Sequence, residues 1–143
     1  MQRRKFLQNT ALAGGLTLID PTQVFAGTTL KKFPTVRVAK GSRNFESKAI
    51  ENAIKQFSKH VDDEELAWLF NNCFPNTLDT TVTYSTYNGE PDTYVITGDI
   101  DAMWLRDSSA QVWPYMQFAD QDKDLKKLIA GVINPQTRQI LKD

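Results

Sequence analysis

A mainly α-helical chain with one β-hairpin is what this sequence predicts, on three observations. Apolar residues recur at helical spacing in two consecutive stretches between Ser47 and Cys73, and a third stripe runs from Leu125 to Ile133. Between them, a β-branched and aromatic run breaks at Asn88-Gly89 and resumes at Tyr94. Helices place every third or fourth residue on one face, whereas Asn-Gly between two such runs is a tight-turn signal.

The chain opens with Gln2-Arg3-Arg4-Lys5-Phe6-Leu7, followed by a weakly hydrophobic run from Ala11 to Ile19 that contains Gly14 and Gly15. Adjacent arginines ahead of a short apolar run are the twin-arginine export pattern. Spanning a bilayer takes about 20 predominantly apolar residues, so the run is too short for an anchor. Val24-Phe25-Ala26 puts small residues where a signal peptidase reads, which predicts a signal peptide over residues 1–26 and an exported, periplasmic or secreted product. Residues 27–44 are polar and broken by Pro34 and Gly41, and read as a lead-in arm.

Residues 45–143 hold the folded part. Ile50, Ala53, Ile54 and Phe57 form one face of a first helix, and Leu66, Leu69, Phe70 and Cys73 repeat the spacing in a second. Asp62 with Glu65 predicts an acidic capping box for that second helix, and the run Asp62 to Glu65 is expected to be a solvated cap rather than a metal site. Cys73 occupies an apolar helical position and is expected in the core. Pro75 ends the helix. The hairpin follows, with strand character from Thr80 to Tyr87 and again from Tyr94 to Ile96. Asp120, Asp122 and Asp124 alternate as in a calcium loop, but Leu125 and Gly131 stand where that loop needs Gly and Glu, so a polar lead into the third helix is expected. Gly131 and Pro135 interrupt that last stretch.

Composition narrows the chemistry. The 143 residues carry 17 Lys+Arg against 17 Asp+Glu, so no net field draws the chain onto nucleic acid or an anionic membrane. One cysteine excludes an internal disulfide, and one histidine excludes Ser-His-Asp and Cys-His catalysis within this stretch. Carboxylates are left. They concentrate in Thr97-Gly98-Asp99-Ile100-Asp101-Ala102-Met103-Trp104-Leu105-Arg106-Asp107-Ser108, just after a strand. Carboxylate and guanidinium pair with sugar hydroxyls, and an indole stacks on the apolar face of a pyranose. Ser108 and Gln111 form a capping box, which predicts a helix from Ser108 with Trp104, Arg106 and Asp107 on the loop before it. On spacing alone a second reading stands equally: Arg106 braced internally by Asp99 or Asp101, and Trp104 in the core.

Three segments, Thr97 to Ile100, Ala102 to Ser108 and Gln111-Val112-Trp113-Pro114-Tyr115, resemble the signature of glycoside hydrolase family 125, the metal-independent exo-α-1,6-mannosidases. Asn72 to Thr81, Pro91-Asp92-Thr93 and Leu128 to Ile133 are similar to that family as well, so the likeness runs from about Ser47 to the end. Pro135 and Asp101 depart from the pattern. The resemblance implies the N-terminal part of an (α/α)6 barrel, no metal or other cofactor, and inverting release of terminal α-1,6-linked mannose from a mannose-containing glycan. It implies that Asp99, Trp104, Arg106 and Asp107 bind the terminal sugar, with the catalytic acid and base beyond Asp143. Twelve helices of about 11–12 residues with connections of about 4–6 need roughly 190 residues, so the sequence is expected to be a fragment that cannot close the barrel and is inactive alone. Two other readings compete: a small exported carbohydrate-binding module using Trp104, Arg106 and Asp107, and a self-contained hydrolase with Asp99 and Asp107 as acid and base.

Overall fold

Residues 33–142 are described by the computed structural model; the expected signal segment, residues 1–26, and the start of the lead-in arm lie outside them. Ser47, in extended conformation, caps the first helix, α1 (Lys48–His60), by accepting the N–H of Ile50. Its hydroxyl also donates to Asp122 Oδ2 at 2.7 Å, tying the start of α1 to a residue far along the chain. Ile50 and Ile54 are buried as their spacing predicts, with Ala53 and Phe57 at the margin.

The second helix, α2 (Glu64–Cys73), packs on α1 through an aromatic stack: Phe57 on Phe70 at 4.0 Å between centroids, then Phe70 on Phe74 at 4.5 Å. Its cap is Asp63, not Asp62, and the Asp63 carboxylate takes the N–H groups of Glu65 and Leu66. Two neighbouring acids offer the same cap chemistry, so spacing could not separate them. Cys73 is exposed rather than in the core, because Phe70 and Phe74 make the packed side of α2 while Leu66 and Leu69 stay 46% and 41% exposed.

Beyond buried Pro75 the chain makes one π-helical turn, Thr77–Thr81, before the strands begin. Thr80 and Thr81 therefore lie outside the strand expected to contain them. Their hydroxyls donate back to the carbonyls of Asn76 and Thr77, a local bond that competes with strand pairing. Strands β1 (Val82–Tyr87) and β2 (Glu90–Val95) pair antiparallel from Val82 opposite Val95 to Tyr87 opposite Glu90. Asn88 and Gly89 both have positive φ, 52° and 84°, which a two-residue turn between right-twisted strands requires.

After β2 come a loop, helix α3 (Leu105–Val112) and a 3-10 segment, Trp113–Gln121, in which the Tyr115 hydroxyl donates to the Phe74 carbonyl at 2.5 Å. Asp122 then caps α4 (Lys123–Gly131), its Oδ1 taking the N–H groups of Asp124 and Leu125. The alternating aspartates thus serve a helix start. The last helix, α5 (Ile133–Ile140), accommodates Pro135 in its first turn, where a backbone N–H has no helical partner. The break at Val132 divides the expected stripe. Leu125, Leu128 and Val132 are buried, whereas Ile133 is 61% exposed.

Ile50, Leu78, Val82, Val95, Leu125 and Leu128 meet in one core between α1, the hairpin and α4. The approach of α4 to β2 depends on Gly131: a Cβ there would stand 2.6 Å from Thr93 Oγ1 and 3.2 Å from the Asp92 backbone nitrogen. Thr93 cannot swing aside freely, since its hydroxyl donates to the Leu128 carbonyl at 2.7 Å. Gly131→Ala is expected to destabilise the chain, because overpacking costs about 1–3 kcal/mol and the better helix propensity of alanine offsets about 1 kcal/mol of it. Urea denaturation checks this, and equal or greater stability would contradict the close approach.

The lead-in segment is bound to the domain from Phe33 onward. Phe33 stacks on Trp68, whose indole N–H donates to the Pro34 carbonyl at 2.7 Å. Arg37 forks onto buried Asp79 (Nε to Oδ2, 2.6 Å; Nη2 to Oδ1, 3.1 Å) and onto Glu51 (Nη2 to Oε1, 2.5 Å). Burial opposes the Arg37 charge, yet the hydrogen bonds it donates to both carboxylates outweigh it and raise its pKa. The same balance, burial opposed and overcome by Arg37, lowers the pKa of Glu51.

Candidate functional site

The segment singled out for its chemistry starts where β2 ends. Val95 is fully buried and Ile96 still donates to the Thr81 carbonyl, so the strand delivers Thr97 at a fixed point. Gly98 then reverses the chain at φ +106°, a conformation side chains beyond glycine rarely adopt. Asp99, Ile100 and Asp101 form the exposed tip of the loop, and buried Met103 anchors its return. Thr97 holds the two ends together: its N–H and its hydroxyl both donate to the Ala102 carbonyl at 2.9 Å, and its Oγ1 accepts the Trp104 N–H at 3.0 Å.

Trp104, extended, is the residue ahead of α3, which begins at Leu105 and not at Ser108. Arg106 and Asp107 accordingly stand on the first helical turn instead of on a loop. Ser108 lies inside the helix, fully buried, with its hydroxyl donating to the Trp104 carbonyl at 2.7 Å. The shift has a physical cause, for the Trp104 N–H is already satisfied by Thr97 and no side-chain cap is used. From the far side, Gln136 of α5 donates to the hydroxyls of Ser108 and Ser109 at 2.9 and 3.0 Å. Neither Thr97 nor Gln136 stood out by spacing, since each acts through a single contact across the fold.

The internal-brace reading does not hold among the described residues. The Arg106 side chain is 91% exposed, and its one acidic partner is Asp107, at 3.7 Å. Such an exposed pair is worth about 0–1 kcal/mol, leaving both groups available to a ligand. Trp104 is 57% exposed and is not core. Asp101 turns instead toward Tyr94, whose pKa is raised by burial first and by the Asp101 charge second. The start of α3 is thus a ledge of the chain that presents exposed Trp104 and Arg106 and half-buried Asp107 within four residues, with Asp99 on the adjoining loop. An indole face beside a loosely paired guanidinium and carboxylate can stack on a sugar ring and hydrogen-bond its hydroxyls.

Two cavities lie away from the ledge: an apolar groove of about 420 Å³ lined by Phe57, Val61, Phe70, Phe74 and Phe118, and a polar cavity of about 550 Å³ lined by Lys40, Arg43, Glu46 and Glu51.

Comparison with known proteins adds lineage to this geometry. The chain is similar to the Meiotically up-regulated gene 157 protein of Schizosaccharomyces pombe, with 43% identity over 111 residues, covering 77% of this chain and 22% of that protein. It thus spans about a fifth of the length of the curated relative it matches. Residues 63–143, which contain the whole loop and ledge, match the family described as Metal-independent alpha-mannosidase (GH125). On that match, extending over more than half of its length, the chain belongs to the GH125 family of glycoside hydrolases.

Proposed function

We propose that this chain supplies one wall of the terminal-sugar site of an exo-acting α-1,6-mannosidase that inverts configuration at the cleaved carbon. The observation that carries the reading is the ledge: Trp104 immediately ahead of α3, and Arg106 and Asp107 on its first turn, all reach solvent, with Arg106 held by nothing stronger than its neighbour. Asp107 grips a hydroxyl pair of the terminal mannose, Arg106 donates to the same sugar, Trp104 stacks on its apolar face, and Asp99 closes the site from the loop. The chemical step needs a carboxylic acid to protonate the leaving oxygen and a carboxylate about 6.5–9.5 Å away to activate water on the opposite face. In this reading neither role falls to the three ledge residues or to Asp99, and both groups come from outside this stretch, in an (α/α)6 barrel. The substrate is a mannose-containing glycan met after twin-arginine export.

The open shape of the ledge favours, as second reading, an exported carbohydrate-binding module that holds mannose without cleaving it. Incubating the full-length protein with α-1,6-, α-1,3- and α-1,2-linked mannobiosides decides between them. The first reading expects release of mannose from the α-1,6 substrate, with β-mannose as the first anomer seen by proton NMR. Binding without turnover of any linkage supports the module instead, and α-mannose as first product removes the inverting mechanism.

A further inference from the structure

Resting on the reading of the ledge as a sugar site, we propose that Thr97 is a positioning residue for it, its hydroxyl latching the loop that bears Asp99 to the start of the helix that bears Arg106 and Asp107. Thr97 is itself 7% exposed and cannot meet a ligand directly. What it touches are the two chain ends that matter. Oγ1–H donates to the Ala102 carbonyl at 2.9 Å, on the return limb of the loop, while an Oγ1 lone pair accepts the Trp104 N–H at 3.0 Å, immediately ahead of α3. Within the loop the backbone bonds are Thr97 N–H to the Ala102 carbonyl at 2.9 Å, which closes its base, and Ala102 N–H to the Ile100 carbonyl at 2.8 Å, which shapes its tip; neither fixes it to the helix.

Helix α3 has its own support, since Ser108 and Ser109 are held by Gln136 of α5. Losing the Thr97 hydroxyl therefore leaves α3 in place and unlatches the loop from the start of the helix, with only the Thr97 N–H still closing the loop's base. Asp99 then no longer keeps a fixed separation from Arg106 and Asp107, whereas Trp104 stays with the helix through its carbonyl, which accepts the Ser108 N–H and hydroxyl. Residues that grip the sugar equally in the ground and transition states act on KM more than on kcat, so the latch has a kinetic signature distinct from loss of folding.

The experiment compares Thr97→Val, Thr97→Ser and Asp107→Asn in the full-length protein, reading α-1,6-mannobioside kinetics and hydrogen exchange at the Trp104 amide. Thr97→Val keeps the shape and removes the hydroxyl. It is expected to raise KM about tenfold with kcat changed by less than about twofold, and to speed exchange at Trp104. Thr97→Ser restores the hydroxyl and is expected to keep KM within about twofold of wild type. Impaired Asp107→Asn beside unchanged Thr97→Val overturns the latch alone, as does Thr97→Ser as impaired as Thr97→Val. Unchanged Asp107→Asn overturns the sugar-site reading and the latch with it. Should Thr97→Val fail to fold, the wild-type Trp104 amide decides: exchange as fast as at exposed Asp99 overturns the latch, and exchange at least about tenfold slower supports it.

Discussion

Asp107→Asn in the full-length protein is expected to lower kcat/KM for an α-1,6-mannobioside by about one to two decades, with little change in melting temperature. A hydrogen bond from a charged group to a sugar hydroxyl is worth about 1.5–3 kcal/mol, and each 1.36 kcal/mol is tenfold in rate. Asparagine keeps the size and part of the hydrogen bonding but discards the charge. Folding stability is insulated because the partner left behind, Arg106, is 91% exposed and needs no neutralising charge. Asp107 also lies in the first turn of α3, where a carboxylate favours the helix by about 0.3–1 kcal/mol, and that sets the scale of any stability loss. Melting temperature and kinetics measured on the same protein decide. A large stability loss with normal kcat/KM in the folded fraction would remove Asp107 from the site.

Arg37→Ala is expected to destabilise the chain by about 3–5 kcal/mol, toward the lower end because Arg43 Nε still lies 3.7 Å from Asp79. The cause is burial: the Asp79 side chain is 3% exposed and would be left without the guanidinium fork that pairs with it. Acid should narrow the difference. Glu51, whose folded pKa is lowered, contributes stability above the ordinary carboxylate pKa of about 4.3 and loses it as pH falls through the folded value. Urea denaturation of wild type and Arg37→Ala at neutral and acidic pH checks both statements. A loss below about 1 kcal/mol at neutral pH would mean that water, and not Arg37, satisfies Asp79.

The contrast between these two residues shows what was legible in the sequence. Asp107 was found because a sugar site needs a carboxylate, a guanidinium and an indole close together, and chain neighbours supply them. Arg37 was passed over, since its partners Glu51 and Asp79 are remote in sequence and the pairing exists only after folding. Periodicity found α1, the hairpin turn and most of the α4 stripe, where local pattern and burial agree. It failed at Cys73 and Ile133, whose positions fit an apolar stripe but which stay exposed after folding. The capping-box pattern misplaced the start of α3, because Thr97 serves Trp104 through a bond that helix-cap rules do not anticipate.

The central claim, that terminal mannose rests against the start of α3, is tested most directly by titrating the full-length protein with mannose while following tryptophan indole resonances, with Trp104→Phe identifying the signal. The Trp104 indole is expected to move on saturation while Trp68, whose N–H is bonded to Pro34, and Trp113 stay in place. Saturable binding that moves Trp113 and leaves Trp104 unchanged would place the sugar elsewhere and contradict the account.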